Sequence, residues 1–186
     1  MFPLSDLQSL CHEAAGRIAP HIRHTPVEYS HALSEVSGAD VYLKLENLQT
    51  TGSFKLRGAV NALLSLGTGA TGVVAASSGN HGVAVAHAAQ IAGLYPLIFV
   101  PEGAAASKLE AIEALGAEIR RVEGDTVLAE SAARVHAVET GLPYLSPYND
   151  PRVVAGQGTI GVELASDLPH IDVLFASMGG GGLVAG

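Results

Sequence analysis

Val73-Val74-Ala75-Ala76-Ser77-Ser78-Gly79-Asn80-His81-Gly82 decides how this chain folds. Val73 to Ala76 reads as a strand, Ser77 to Asn80 as a turn, and a helical pattern resumes through Gly82–Ile91. The unit recurs downstream. Leu97 to Val100 reads as a strand closed by Pro101, and Ser107-x-x-Glu110 as a capping box for a helix that Gly116 ends. Glu118 to Val122 is a short strand, and Asp125 to Thr140 a helix stopped by Gly141. Tyr144-Leu145 is another short strand, a helix follows Gly158, and Val173 to Ala176 is the last strand. Upstream, Leu7, Leu10, Cys11, Ala14 and Ile18 mark a helix from Ser5 to Ile18, with Ser5-x-x-Gln8 as its capping box. Val41 to Leu45 alternates as a half-covered strand does, and Lys55 opens a helix with Ala59, Ala62, Leu63 and Leu66 on one side. Strands alternating with helices predict an α/β fold with a mostly parallel sheet, whose ligands sit beyond the carboxyl ends of the strands.

Composition bounds the function. A chain of 186 residues, 48% hydrophobic but only 5% aromatic, suits close packing of helices on a sheet. Ten basic against eighteen acidic residues leave a net charge of −8, which argues against nucleic acid or anionic membranes as partners. The single cysteine, Cys11, excludes a disulfide framework and a cysteine metal cluster, and it fits a reducing compartment. The start Met1-Phe2-Pro3-Leu4-Ser5-Asp6 lacks the basic and apolar regions of a signal peptide, and no apolar run is long enough for a membrane helix. A soluble cytoplasmic protein is expected. No metal site is expected.

Three turns carry chemistry. In Ser53-Phe54-Lys55-Leu56-Arg57-Gly58-Ala59 a lysine stands at a helix start, where the helix dipole disfavours it, beside apolar neighbours. Partial burial there lowers an ammonium pKa and favours the free, nucleophilic amine. Ser77-Ser78-Gly79-Asn80-His81-Gly82 reads either as a turn with an N-cap or as an anion cradle suited to a carboxylate. Gly179-Gly180-Gly181-Gly182 follows an apolar run, and close approach of backbone amides to a phosphate is the natural reason for four glycines. A reactive amine with a phosphate cup points to a phosphate-bearing aldehyde, pyridoxal phosphate (PLP). A dinucleotide frame, Gly180-x-Gly182-x-x-Ala185, is the rival, although such a frame usually opens its domain and is followed by an acidic residue. Gly156-Gln157-Gly158-Thr159-Ile160-Gly161 reads as a fourth loop leading into a helix, with no chemistry of its own.

Together these motifs resemble the fold-type II PLP enzymes, in particular the serine/threonine dehydratase and serine racemase group. The resemblance extends to His24-Thr25-Pro26-Val27, Leu43-Lys44-Leu45-Glu46-Asn47-Leu48-Gln49 and Ala155-Gly156-Gln157-Gly158-Thr159, and so runs along nearly the whole chain. It implies that Lys55 forms the internal aldimine and moves the α-proton, and that Asn80 bonds the cofactor's 3′-oxygen. It also implies that Gly179, Gly180, Gly181, Gly182 and Leu183 form the phosphate cup, while Ser77, Asn80 and His81 receive the substrate carboxylate. The implied reaction is dehydration and deamination of threonine or serine to a 2-oxo acid and ammonia.

Ser78 implies a second possibility, because serine racemases and hydroxyaspartate dehydratases carry serine where many threonine dehydratases carry alanine. Val83 after Gly82 departs from the Ala-Gln common in the group. The resemblance further implies a large PLP-binding domain over 1–71 and 149–186, a smaller inserted α/β domain over 72–148, and a homodimer. Members of the group are much longer than this chain, so the large domain is expected to be incomplete and to stop at Gly186, before the helix after the cup. A non-catalytic fragment is the competing expectation.

Overall fold

A computed structural model describes residues 4–186, except for the side chains of residues 4, 5 and 108. The capping box expected at Ser5 falls on one of those side chains and lies outside the description. Helix α1 (Leu4–Ile18) turns Cys11, Ala14 and Ile18 inward. Strands β1 (Val27–Tyr29) and β2 (Tyr42–Lys44) pair antiparallel, Val27 opposite Lys44, and α2 (His31–Ser37) connects them between its Ser30 cap and Gly38. A single 3₁₀ turn, Glu46–Leu48, and further turns lead to α3 (Lys55–Leu64). Lys55 thus opens a helix as expected, at the end of a run of turns.

The strand–helix succession then appears in full. Strand β3 (Gly72–Ala76), α4 (Asn80–Ala92), β4 (Tyr95–Pro101), α5 (Ala106–Glu113), β5 (Glu118–Val122) and α6 (Thr126–Thr140) build a parallel sheet in the order β3-β4-β5. Val74 lies opposite Leu97, and Leu97 opposite Glu118. Val73, Ala75, Ile98 and Val100 pack on α4 and α3, while Val74, Leu97 and Phe99 pack on Ala133 and Ala137 of α6. Both faces are covered, which is why these strands are apolar without alternation. Helix α4 lies between the sheet and α3, and its Ala84, Val85, Ala86, Ala88 and Ala89 are all buried. Beyond α3 come α7 (Pro151–Asp167) and then α1, while the short α8 (Gly182–Ala185) rests on α7. No described helix is long and apolar enough to cross a membrane.

Five expectations need correction. Helix α7 begins at Pro151, capped by Asp150, so Gly156 to Gly161 is helix interior and not a loop. Gly156 and Gly158 serve packing: a Cβ on Gly156 would stand 2.6 Å from the Cα of Gly58 and 2.7 Å from the Arg57 carbonyl oxygen. Two helix backbones touch there, and only hydrogen fits between them. Ser107 lies inside α5, whose cap residue is Ala105 with no side-chain cap bond. Tyr144 makes one parallel bridge to Val74 and no longer strand. A helical turn, α8, does begin within the glycine run at Gly182.

The fifth correction concerns Val173 to Ala176, which forms no ladder; Val173, Leu174 and Phe175 are 67%, 64% and 93% exposed. Apolar sequence becomes a strand only where a neighbour supplies hydrogen bonds, and none of the described strands lies beside it.

The helix crossing separates two glycines of α7. Gly156→Ala should destabilise the protein by about 1–3 kcal/mol through overpacking against α3. Gly161→Ala, with nothing within 4 Å of the new methyl, should instead stabilise by about 0.5–1 kcal/mol. Denaturant titration of both variants checks the pair.

Candidate active site

Lys55 is the first residue of α3, with Leu56 fully buried beside it and Phe54 half-buried. Its amine donates to the Pro147 carbonyl oxygen at 3.0 Å and lies 5.2 Å from the Phe54 ring centre. Among the described residues no carboxylate pairs with it. Burial pushes the Lys55 ammonium below the ordinary lysine range, as a reactive amine requires.

Ser77 follows the carboxyl end of β3, where the fold places a ligand. The Ser77 hydroxyl accepts from Gly79 N–H at 3.1 Å, and the cap residue of α4 is Gly79, without a side-chain cap bond. The N-cap reading of Ser78 and Asn80 therefore fails. Asn80 is exposed, and the Ser78 hydroxyl is half-buried with no hydrogen bond among the described residues. Gly82 allows the turn, since a Cβ there would stand 2.4 Å from the Ser77 carbonyl oxygen. His81 points inward: it is buried, and its Nε2 lies 3.1 Å from the Leu145 carbonyl oxygen. Burial pushes His81 down to about 4, with its bond to Leu145 opposing and the Lys55 charge assisting. The ring is neutral at physiological pH, and since a carbonyl can only accept, Nε2 carries the proton.

The loop from Leu145 to Tyr148 brings the separate motifs together. Leu145 receives His81, Pro147 receives Lys55, and Tyr148 meets the glycine run. A Cβ on Gly180 would stand 2.3 Å from the Tyr148 ring, and one on Gly182 would stand 2.8 Å from the Tyr148 Cα. Gly179 and Gly181 face open space, with Gly181 at φ +87°. The run is thus pressed on one side against the loop that holds Lys55 and is open elsewhere. Ser146 closes the loop by accepting from Asn149 N–H at 3.0 Å. Sequence reading assigned nothing to this loop, because its contribution is made by backbone carbonyls that any residue type supplies.

Behind Lys55 lies a buried ion network. Arg57, with no exposed surface, grips Glu46 through Nε at 2.9 Å and Nη2 at 2.8 Å, and Glu163 through Nη1 at 2.6 Å and Nη2 at 2.9 Å. Thr159 accepts a further bond from Nη1 at 3.1 Å, and the Thr25 hydroxyl donates to Glu46 at 2.6 Å. Lys44 joins Glu163 at 2.7 Å and Asp167 at 3.1 Å, and His24 reaches Asp167 at 2.8 Å. Burial presses the Arg57 guanidinium towards neutrality, but its bonds to Glu46 and Glu163 outweigh that and keep it charged. Burial likewise pushes the Glu163 carboxyl up, yet hydrogen bonds from Arg57 and Lys44 hold it below the usual range.

These residues suit PLP. A half-buried amine free of carboxylates could take its aldehyde, and an open glycine backbone could take its phosphate. The buried hydroxyls of Thr51 and Ser53, on the turn leading to Lys55, have no partner among the described residues and retain polar capacity. No group of three His, Cys, Asp or Glu among the described residues could hold a metal. Residues 18–186 match the family described as pyridoxal-phosphate dependent enzyme. The chain belongs to that family.

Relatives within the family sharpen the likeness. The chain is 45% identical over its full length to an L-threonine ammonia-lyase of Thermotoga maritima, covering 46% of it. It is 40% identical to a beta-hydroxyaspartate dehydratase of Paracoccus denitrificans, over 91% of this chain and 55% of that one. The solved structure of maize serine racemase superposes with a TM-score of 0.90 at 36% identity, over 95% of this chain and 54% of that one. The chain spans about half the length of the curated relatives it matches. Its fold is that of the fold-type II PLP enzymes, and PLP is the family's cofactor.

The ion network gives a pH-dependent expectation. Because the folded-state pKa of Glu163 is depressed, its contribution to stability is fully present above the ordinary glutamate range and is lost as pH falls through the folded value. Glu163→Gln should cost about 3 kcal/mol at neutral pH, since it breaks a buried pair, and should flatten the acid limb of stability. Urea midpoints from neutral to acid pH check both.

Proposed function

We propose that the protein of which this chain is part, or all, is an ammonia-lyase that converts threonine or serine to a 2-oxo acid and ammonia. The observation that carries this reading is the convergence at the 145–148 loop: the Lys55 amine on Pro147, and the glycine run on Tyr148. The likeness to a threonine ammonia-lyase supports the reaction class.

In this reading Gly179, Gly180, Gly181, Gly182 and Leu183 hold the phosphate, and Asn80 holds the cofactor's 3′-oxygen. PLP, when bound, supplies an electron sink for charge developing at the substrate's α-carbon. Lys55 would hold the cofactor's aldehyde carbon and would take the α-proton, and burial, which favours its neutral amine, suits both tasks. Ser77, Asn80 and the uncapped N–H groups at the start of α4 receive the substrate carboxylate. His81 belongs to the same turn, but its side chain is committed to Leu145 and contributes from within. The overall change removes water across the α- and β-carbons and adds water back on release of ammonia.

The reading includes a large domain over 1–71 and 149–186 with a smaller one over 72–148, a homodimeric assembly and a cytoplasmic setting. The continuous parallel sheet within 72–122 supports the division, and the single buried cysteine supports the setting.

A second reading, racemisation, is favoured by one observation. The Ser78 hydroxyl neither caps α4 nor bonds elsewhere among the described residues, so it is free to give a proton to the substrate's second face. The serine racemase and hydroxyaspartate dehydratase relatives agree with it.

Incubation with PLP and borohydride, followed by peptide mapping, should place a reduced adduct on Lys55, and Lys55→Ala should abolish it. An adduct on Lys44 or Lys108 instead would sink the reading. In active protein, Ser78→Ala should lower racemisation at least tenfold while leaving lyase turnover within about threefold (about 0.7 kcal/mol); chiral chromatography beside an oxo-acid assay measures the split.

A further inference from the structure

We propose that His81 is a positioning residue: its Nε2–H bond to the Leu145 carbonyl holds the 145–148 loop where the Pro147 carbonyl receives the Lys55 amine. Three observations carry this. The ring is buried, so the bond is not shared with solvent, and the Leu145 carbonyl has no other described donor. The amide of the same residue is fixed independently, since Leu145 N–H donates to the Val74 carbonyl oxygen at 2.8 Å. Leu145 is therefore held from two directions, by β3 through its N–H and by α4 through its carbonyl. Two residues on, Pro147 offers the one described acceptor of Lys55.

Losing the imidazole donor would leave a buried carbonyl unpaired, which costs about 1–3 kcal/mol. The peptide would relieve that cost by rotating towards water and would carry Pro147 with it. The turn that reads as a carboxylate cradle and the reactive lysine, though on different helices, are thereby coupled through one loop. The charged groups near the His81 ring are Lys55 and Glu130. The groups facing the Lys55 amine are the Pro147 carbonyl, the Phe54 ring and the neutral His81 ring.

The inference rests on the reading of Lys55 as the reactive amine, but its test needs no PLP. Reductive methylation with formaldehyde and cyanoborohydride, followed by peptide mapping from neutral to alkaline pH, gives the labelling midpoint of Lys55, with a free Nα-acetyl-lysine amide in the same solution as reference. A midpoint is insensitive to how accessible the amine is. In the unaltered chain it should lie below that of the free lysine derivative. His81→Phe, which keeps the ring and removes the donor, should shift it by about half a unit or more, about a threefold change in free amine at neutral pH. His81→Gln, which restores a donor at similar reach, should keep the original midpoint.

A purely structural His81 would lower the unfolding temperature in the variants and leave the midpoint unmoved. That result, or a shift in the Gln variant as large as in the Phe variant, overturns the proposal. Should the Phe variant fail to fold, nitrogen NMR of the unaltered protein decides. A neutral Nε2–H ring coupled to the Leu145 carbonyl supports the proposal, and an Nδ1–H ring or an imidazolium at neutral pH overturns it. Failure of the PLP adduct with the midpoint shift intact would instead sink the lyase reading and leave this one standing.

Discussion

Arg57 between Glu46 and Glu163 is the interaction on which the rest of the arrangement depends. A fully buried guanidinium is tolerable only when its donors are matched, and here two carboxylates take it in bidentate fashion while Thr159 and Thr25 complete the shell. Glu46 comes from the turn after β2, Glu163 from α7, and Arg57 from the first turn of α3. The network therefore locks three chain segments that are distant in sequence. Its directional bonds also specify how α3 sits, which nonpolar packing alone would leave looser. Lys55, two residues before Arg57, inherits that placement.

With α3 fixed from behind, the front of the site is set by close backbone approach. Gly58 of α3 and Gly156 of α7 touch, and Gly180 and Gly182 press against Tyr148. In each case the missing Cβ is what lets two segments meet. The result is an amine on one side of the 145–148 loop and an open glycine backbone on the other, with His81 tying the loop to the start of α4. The curated relatives include both a lyase and a racemase, and under the proposed reading the Ser78 hydroxyl is what would separate the two outcomes.

Legibility followed the kind of signal each residue emits. Lys55, the turn after β3 and the glycine run were readable because their residue types are costly where they stand: a cation at a helix start, glycines without a packing partner in sequence. Gln49, whose amide bonds both the N–H and the carbonyl of Arg23, and Thr25, Glu46 and Glu163 carried no such signal. Their meaning lies in partners as far as 106 residues away and beyond. The glycines of α7 misled for a related reason. Gly156 and Gly158 resemble a loop until a second helix is placed against them.

The sequence by itself determined the α/β succession from β3 to α6, the parallel sheet, the lysine at the start of α3 and the family, because these rest on local periodicity and on motifs whose chemistry is intrinsic to their residues. Tertiary structure decided what long-range contacts decide. It turned Gly156 to Gly161 from loop to helix, left Val173 to Ala176 without a ladder, and drew His81 away from the surface of its turn to the Leu145 carbonyl. It also made Pro147, 92 residues beyond Lys55, and the adjoining Tyr148 the place where the lysine and the glycine run meet. Hydrogen bonds to backbone carbonyls, and contacts that need the absence of a side chain, leave no mark in the residues that make them.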